Sequence, residues 1–553
     1  MDEGKREHMK RETGKAMQEF DFDLIIIGAG INGAGIALDA ATRGYRVFIC
    51  DKNDFGAGTT SASSRLIHGG LRYLEYFEIG LVQESLRERD ILLRTAAGLV
   101  APLKLLIPVY KTSRRPLFLI KIGMLLYDLL SLGKKLPRHH MLTRASLLKQ
   151  EPALKSKGLR GGAAYFDSQV AFPERLCWSI IHKARRAGAI VHNYCRAVGF
   201  EKVRGGHRVQ VKNLKCGSEF SVSGRMLINA TGPWVDEVRK VHAPNAPALL
   251  GGTKGSHIII AKRPDGPKHA IYVEAQQDGR PFFIIPWLDF HLIGTTDINY
   301  TGDLDTVIIS QQEVGYLLTE VNHILGGSQI TEKDILFTCS GVRPLPAAKK
   351  GNTGAITRRH HIKKGEENYF DIIGGKLTTW RSLAEQAVDK MMHLLPENGE
   401  GSEQGTAEIM LAEGSELPVP GNLPAINACA WQHISALHGP DAHQILKLVK
   451  DNPELGRPIS AHRPDMLAQA VFAVQNEEAH HLTDILLRRT TAGYGPDMGL
   501  ICCEKVAEIV GPQLSWNKSR QQDEIQKYRE FILTHHIPEF LPAGKKWRQK
   551  CGL

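Results

Sequence analysis

The sequence predicts an α/β fold joined to a β-rich second domain and a helical C-terminal domain. Three observations carry that expectation. Near the N-terminus, the apolar run Leu24–Ile27 leads into Gly28, Gly30 and Gly33 in G-x-G-x-x-G spacing, then a helix-like stretch. A second apolar run, Val47–Cys50, follows and ends at Asp51. Between residues 256 and 300 the runs HIIIA, AIYVEA, PFFIIPW and FHLIGTT are β-type, with Asp265-Gly266 and Asp278-Gly279 as turns. From about residue 420 onward the pattern is helical with several loop breaks.

The first of these carries the most chemistry. Gly28 permits a tight turn, and Gly30 lets the backbone approach a pyrophosphate. Gly33 lets the next helix pack close to the strand, with its N-terminus toward negative charge. Asp51 can accept hydrogen bonds from a ribose. A bare glycine motif would equally suit a glycine-rich turn in an α/β core. Here two strands and an acid at the right distance frame it, which points to a Rossmann-type dinucleotide site over residues 20–70.

The remaining elements follow in order. Residues 78–97 read as an amphipathic helix, with Leu81, Val82, Leu86, Ile91 and Leu92 among mixed charges. Leu117–Leu132 is a further apolar stretch, and residues 174–187 form another helix. Strand-like pieces come at 189–200, 207–212 and 219–222. Met226–Ala230 is a short buried-type strand ending in Thr231-Gly232-Pro233. The 256–300 region reads as a largely antiparallel sheet that carries the substrate face. A strand at 368–373 precedes Gly374-Gly375, and a helix runs from about Thr379 to Leu395. A Gly/Glu/Ser-rich stretch then reads as a linker.

With 553 residues and 42% hydrophobic content, the chain can bury a large core. Residues 1–20 balance five bases against five acids without an apolar run, which favours a flexible polar tail over a signal or transit peptide. The nine cysteines form no C-x-x-C pair, so no metal or iron–sulfur site is expected and the thiols read as free in a reducing cytoplasm. The +11 charge concentrates in two places. One is the span 104–138, with Lys104, Lys111, Arg114, Arg115, Lys121, Lys134, Lys135 and Arg138 around the apolar stretch. The other is the tail Lys545, Lys546, Arg548 and Lys550 around Trp547. A basic-flanked apolar helix too short to span a bilayer can lie in an anionic membrane surface. The alternative is a core helix with solvated flanks. Nucleic acid is not expected, because the bases are not interleaved with stacking aromatics.

Several longer stretches carry a resemblance. They are IIGAGINGAGIALDAATRG at 26–44, SASSRLIHGGLRYLE at 61–75, NATGPW at 229–234, KGSHI at 254–258 and IGTTD at 293–297. Then come SGVRPL at 340–345, AITR at 355–358, GGKLTTWRSLAE at 374–385 and, more faintly, ILLRRTTAGY at 485–494. In this order the chain resembles the FAD-dependent glycerol-3-phosphate dehydrogenases, the flavoprotein type. The resemblance implies a glutathione-reductase-like FAD-binding domain at about 21–80, 160–235 and 340–398. A β-rich substrate domain at about 81–159 and 236–339 is interleaved with it. A linker at 399–419 and a helical domain at 420–553 complete the layout.

It also implies the site. FAD would be held by Gly28, Gly30, Asn32, Gly33, Asp51, Ser61, Ser63, Ser64, Thr231, Gly232, Gly374, Gly375, Leu377 and Thr378. Arg65 stands where many relatives carry Lys. The local chemistry agrees: Gly374-Gly375 lets backbone approach a ligand. The helix after Thr378-Thr379 would point its positive end at the negative edge of a reduced flavin. Without its neighbours, that stretch would read as a helix cap after a glycine turn. A phosphate monoester needs several cations, and the candidates are Arg72, Arg343, Arg358 and Lys376, with Tyr73 as a hydroxyl donor. The resemblance brings them into one pocket, with Arg343 nearest the oxidised carbon and Arg358, Arg72 and Lys376 on the phosphate. Arginine is a poor base, so His257 and His68 are the candidate proton acceptors.

The resulting expectation is a cytoplasmic flavoenzyme bound peripherally to the inner face of the cell membrane. It oxidises sn-glycerol 3-phosphate to dihydroxyacetone phosphate through FAD, with quinone as acceptor. An oxygen-using oxidase on the same fold, an amine or hydroxy-acid oxidase, and a non-catalytic flavin-binding surface protein are the alternatives. Nothing specifically indicates a covalent FAD link, and the oligomeric state stays open, a homodimer among the options.

Overall fold

A computed structural model describes residues 20–133, 135–347, 358–395, 405–412 and 426–552. The expected tail 1–20 lies almost wholly outside these residues. So does most of the expected linker, together with Lys134 and the start of AITR.

An eight-stranded sheet forms the first layer. Its strands lie in the order His361–Lys364, Tyr369–Ile373, Glu219–Asn229, Phe22–Ile27, Val47–Cys50 and Ile190–His192. The last five are mutually parallel. Parallel strands are covered on both faces, so they read as unbroken apolar runs, and Leu24, Ile25 and Ile26 are fully buried. Gly206–Asn213 and Cys195–Val203 extend antiparallel from Glu219–Asn229. The separate pieces expected at 219–222 and 226–230 are one continuous strand. Helix α1, Ile31–Thr42, packs on this sheet between two other helices, Pro173–Arg186 and Trp380–Met392.

The second sheet has ten strands. Its main path is Ile298–Asn299, Thr253–Ala261, Phe290–Gly294, Pro281–Trp287, Ala270–Glu274, Val100–Tyr110, Leu159–Val170 and Leu66–Ile67. Ile335–Arg343 pairs with Thr253–Ala261, and His140–Thr143 with Leu159–Val170. Two of its longest strands, Val100–Tyr110 and Leu159–Val170, were not expected. Pro102, Lys104 and Pro108 mask the period of the first, and Gly161-Gly162 weakens the second. Residues 160–170, expected with the cofactor-binding part, belong to this second sheet, and so do Leu66–Ile67 and the end of Ile335–Arg343. The chain therefore crosses between sheets more often than the expected boundaries allow. Helix α2, Ile79–Thr95, and helix α3, Leu117–Leu130, pack against this sheet.

The C-terminal helices share one core with the second sheet: Trp287, Phe290 and Phe337 cluster with Trp431, Phe472 and Tyr528. Buried ion pairs fasten this part to the first layer. A π-helical turn, Ile485–Arg489, turns two successive arginines onto one acid. Arg488 Nε lies 2.6 Å from Asp54, and Arg489 Nη2 2.7 Å from it. Arg175 pairs with Glu477 at 2.7 Å. Arg65, with φ at +58°, pairs with Glu174 at 2.9 Å and stacks on Trp287. Its charge is therefore spent between layers rather than on a cofactor.

Candidate active site

Four neighbouring parallel strands end at one crevice. Gly28 follows Phe22–Ile27, Asp51 follows Val47–Cys50, Thr231 follows Glu219–Asn229, and Gly374 follows Tyr369–Ile373. Ligands of open α/β sheets bind outside these carboxyl ends. Here the crevice deepens into a cavity of about 550 Å³ that runs on to the second sheet, where His257, Thr295, Asp297 and Arg343 line it.

At the strand-end side, the local sequence leaves backbone donors open. Gly28 has φ of +100°, and a Cβ there would lie 2.7 Å from the Ala230 oxygen. Helix α1 has no side-chain cap at Gly30; Thr60 Oγ1 takes its Ile31 amide at 3.1 Å, and the next amide, of Asn32, is left toward the cavity. Asp51 is already tied into the turn, accepting from the Ala29 amide at 2.7 Å and the Asn53 amide at 2.9 Å. Burial pushes its carboxyl up to about 6, against those hydrogen bonds. Asn32 links the two glycine loops: its Nδ2 donates to the Gly374 oxygen at 3.2 Å. Its buried Oδ1 has no hydrogen-bond partner among the described residues. The helix Trp380–Met392 likewise lacks a side-chain cap, at Thr379. Two helix N-termini without side-chain caps at Gly30 and Thr379, an acid at the end of a neighbouring strand and an orphaned buried acceptor fit a dinucleotide of FAD type.

Gly30, Asn32, Ser63, Ser64, Gly232, Gly375, Leu377 and Thr378 line the same cavity. Gly33 does not line it. Its missing Cβ would fall 1.9 Å from the Gly28 oxygen, so it serves strand–helix packing. Ser61 does not line the cavity either: its hydroxyl is taken by the Ala57 and Gly58 oxygens, at 3.0 and 2.9 Å.

At the other end the cations converge: Arg72, Arg343, Arg358 and Lys376 all line the cavity, with Tyr73 among them, although over three hundred residues separate the first from the last. Asp297, not singled out from sequence, organises them. Its Oδ1 lies 3.1 Å from Arg343 Nη1, and its Oδ2 3.6 Å from Arg358 Nη2. Burial opposes its charge, but Arg343 and Arg358 outweigh it and hold the carboxyl below its ordinary value. IGTTD was the signal that could have found it. Thr295 accepts from Arg343 Nη2 at 2.9 Å. Burial and Arg358 bring Arg343 down to about 10 despite Asp297. Lys376 donates to Ser85 Oγ at 2.7 Å and lies 4.3 Å over the Tyr73 ring. Burial brings it down to about 7; Glu84 opposes this and Arg358 adds to it.

Both histidines line the cavity. His257 Nε2 is 2.8 Å from Ser64 Oγ, and burial, Arg343 and Arg65 push the ring down to about 3. Burial also pushes His68 down to about 4; Asp167 resists, while Lys376 and Arg358 add to the shift. Both imidazoles are neutral at ordinary pH and free of the competing proton.

Residues 23–375 match the family model of FAD dependent oxidoreductases, and residues 369–521 that of the C-terminal domain of alpha-glycerophosphate oxidase. A glycerol-3-phosphate dehydrogenase of Synechocystis sp. is 43% identical over 95% of this chain and 98% of its own length. An aerobic glycerol-3-phosphate dehydrogenase of Staphylococcus saprophyticus is 32% identical over 88% of this chain and 89% of its own. The fold is also similar to that of a glycerol-3-phosphate dehydrogenase from Bacillus halodurans solved with FAD. The TM-score is 0.75 at 23% identity, covering 97% of this chain and 98% of that one.

Proposed function

The chain belongs to the FAD-dependent oxidoreductases, among the glycerol-3-phosphate dehydrogenases, and from that premise we propose that it oxidises sn-glycerol 3-phosphate to dihydroxyacetone phosphate and delivers the electrons to a quinone. The convergence of Arg72, Arg343, Arg358 and Lys376 at one end of a dinucleotide-sized cavity carries this reading. A carboxylate substrate needs one arginine clamp, whereas a phosphate dianion suits several cations.

Bound FAD supplies the acceptor for the hydride from C2. Gly28, Gly30, Asn32, Asp51, Ser63, Ser64, Thr231, Gly232, Gly374, Gly375, Leu377 and Thr378 would hold it. Arg358, Arg72 and Lys376 grip the phosphate, and Tyr73 donates its hydroxyl. Arg343, steadied by Asp297 and Thr295, holds the C2 oxygen as charge develops there. His257 Nε2 takes the hydroxyl proton by exchanging its Ser64 partner for the substrate; His68 is the second candidate.

The membrane reading rests on α3. Phe118, Ile122, Leu125 and Leu129 are more than half exposed along it, and Phe77 beside it is 86% exposed. Such a patch on a soluble surface marks an interaction site. No helix among the described residues is long and apolar enough to cross a membrane, which leaves a helix lying in the surface. Arg114, Lys121, Lys135 and Arg138 remain exposed around it. Arg115 contributes little, because it pairs with Glu75 and Glu274. In the tail, Trp547 packs against the core and beneath Lys550, which makes that patch the weaker contact. A membrane-bound position makes quinone the fitting acceptor.

The test is anaerobic bleaching of the yellow protein by sn-glycerol 3-phosphate, followed by reoxidation with a soluble quinone or with oxygen. Bleaching by the phosphate but not by free glycerol is expected, with fast quinone reoxidation. No bleaching would sink the reading, and rapid stoichiometric peroxide from oxygen would favour the oxidase.

A further inference from the structure

Helix α3 also has an inner face, formed by Ile120, Met124 and Tyr127. The Tyr127 hydroxyl lies 2.8 Å from Asp167 Oδ1 and 2.9 Å from Oδ2, to which it donates. It accepts the Gly69 amide at 3.1 Å, an N–H that Asp167 Oδ1 shares at 3.3 Å. Arg89 of helix α2 donates to the same carboxylate at 2.8 Å. Tyr127, Asp167 and Arg89 are each at most 2% exposed, and neither Tyr127 nor Asp167 lines the cavity. A phenylalanine would fill the same space, so packing does not explain the hydroxyl.

The loop that this hydroxyl holds is the one that matters for the substrate. On the other flank of Gly69, the His68 amide donates to Thr378 Oγ1 at 3.1 Å. After Gly69, Gly70 turns with φ of +77° into the segment Leu71–Tyr76, which brings Arg72 and Tyr73 to the cavity. The fit is tight: a Cβ on Gly69 would lie 2.4 Å from the Tyr127 oxygen.

We propose that Tyr127 and Asp167 are positioning residues for the oxidation: their hydrogen bonds to the Gly69 amide fix His68 on one side, and Arg72 and Tyr73 on the other, against the cofactor-side Thr378. This rests on the assignment of the cavity to sn-glycerol 3-phosphate. Misplacing a substrate-holding group by about 1 Å can cost about a hundredfold in rate. The helix with the membrane-facing exterior is thus also the back wall of the substrate loop.

The experiment compares FAD-loaded wild type, Tyr127→Phe, Asp167→Asn and Met124→Ala. Met124 is buried on the same face of α3, and among the described residues no hydrogen bond joins its side chain to the loop. Tyr127→Phe should keep its FAD content and melting temperature. Its anaerobic reduction by sn-glycerol 3-phosphate should slow by about tenfold to a hundredfold, and Asp167→Asn should slow it further. Hydrogen exchange of residues 66–77 should quicken in both. Met124→Ala should lower the melting temperature but leave the reduction rate and that exchange unchanged. Wild-type rate and exchange in Tyr127→Phe would overturn the proposal, and so would equal slowing by Met124→Ala. Faster exchange in a protein whose wild type is not bleached by this substrate would keep the positioning role and reject the substrate assignment.

Discussion

At Lys376, burial works against the charge that a phosphate needs. The ammonium is brought down from an ordinary 10.5 to about 7, with Arg358 contributing and Glu84 opposing. A bound phosphate dianion would favour the protonated form and raise the value again. Between about pH 7 and 10.5, binding should therefore take up a proton; below about 7 the lysine is already charged and the uptake should vanish. Calorimetry at about pH 8.5, in two buffers of different ionisation enthalpy, should show uptake in wild type and none in Lys376→Met. The histidines make a second case. A proton acceptor must be neutral, and depressed values near 3 for His257 and 4 for His68 keep both rings neutral as pH falls through the ordinary 6.5. Single-turnover flavin reduction should stay level through pH 6.5 and fall only toward pH 4. His257→Ala should slow it by about 10²–10⁴-fold; an unchanged rate would pass the role to His68.

Among the elements, the first turn separates two kinds of glycine. A Cβ on Gly30 would meet nothing closer than Thr60 Oγ1 at 3.5 Å, so the space beside it belongs to a ligand. On Gly33 it would meet the Gly28 oxygen at 1.9 Å. Gly30→Val should therefore fold with a near-native melting temperature and fail to bind FAD, while Gly33→Val should fail to fold. Fluorescence of released FAD and thermal unfolding distinguish the two. The π-helical turn makes the second case. Asp54 sits three residues beyond Asp51 and receives both Arg488 and Arg489. Those guanidiniums hold its carboxyl well below the usual range despite burial. Asp54→Asn leaves the buried Arg489 without its carboxylate partner and Arg488 with Asp484 alone, at a cost of about 3–5 kcal/mol. It should lower the melting temperature and speed FAD loss. Unchanged retention would mean that the C-terminal part does not steady the cofactor turn.

For the whole molecule, the question is what would hold it at a membrane when no described helix can span one. Each large apolar side chain withdrawn from water contributes about 1.5–3 kcal/mol, against about 1 kcal/mol for each base near anionic lipid. The apolar face of α3 should thus dominate. Replacing Arg114, Lys121 and Lys135 with Gln should remove the salt-sensitive part of vesicle binding. Replacing Phe118, Ile122, Leu125 and Leu129 with Ser should remove the rest. If both variants float with anionic vesicles as wild type does, this helix is not the contact; if wild type itself does not float, the oxygen-using alternative gains. The same helix shows what was legible beforehand. Its apolar run, its basic flanks, the glycine turn with Asp51, and the β-rich stretch at 256–300 are local patterns, so the sequence alone determined them. The strands Val100–Tyr110 and Leu159–Val170 were not legible, because prolines and glycines break their period and pairing alone makes them strands. Nor could local pattern show that Glu75 and Glu274 neutralise Arg115, that Ser61 turns away from the cavity, or that Asp297 gathers the arginines. These facts belong to the tertiary structure. The partners of Arg115 and Asp297 are far apart in the chain and meet only once the sheets have formed, and the cavity that Ser61 misses exists only between them. Local pattern sets which element a residue enters, whereas the charge, burial and partners that give a side chain its chemistry are set by whatever the fold packs against it.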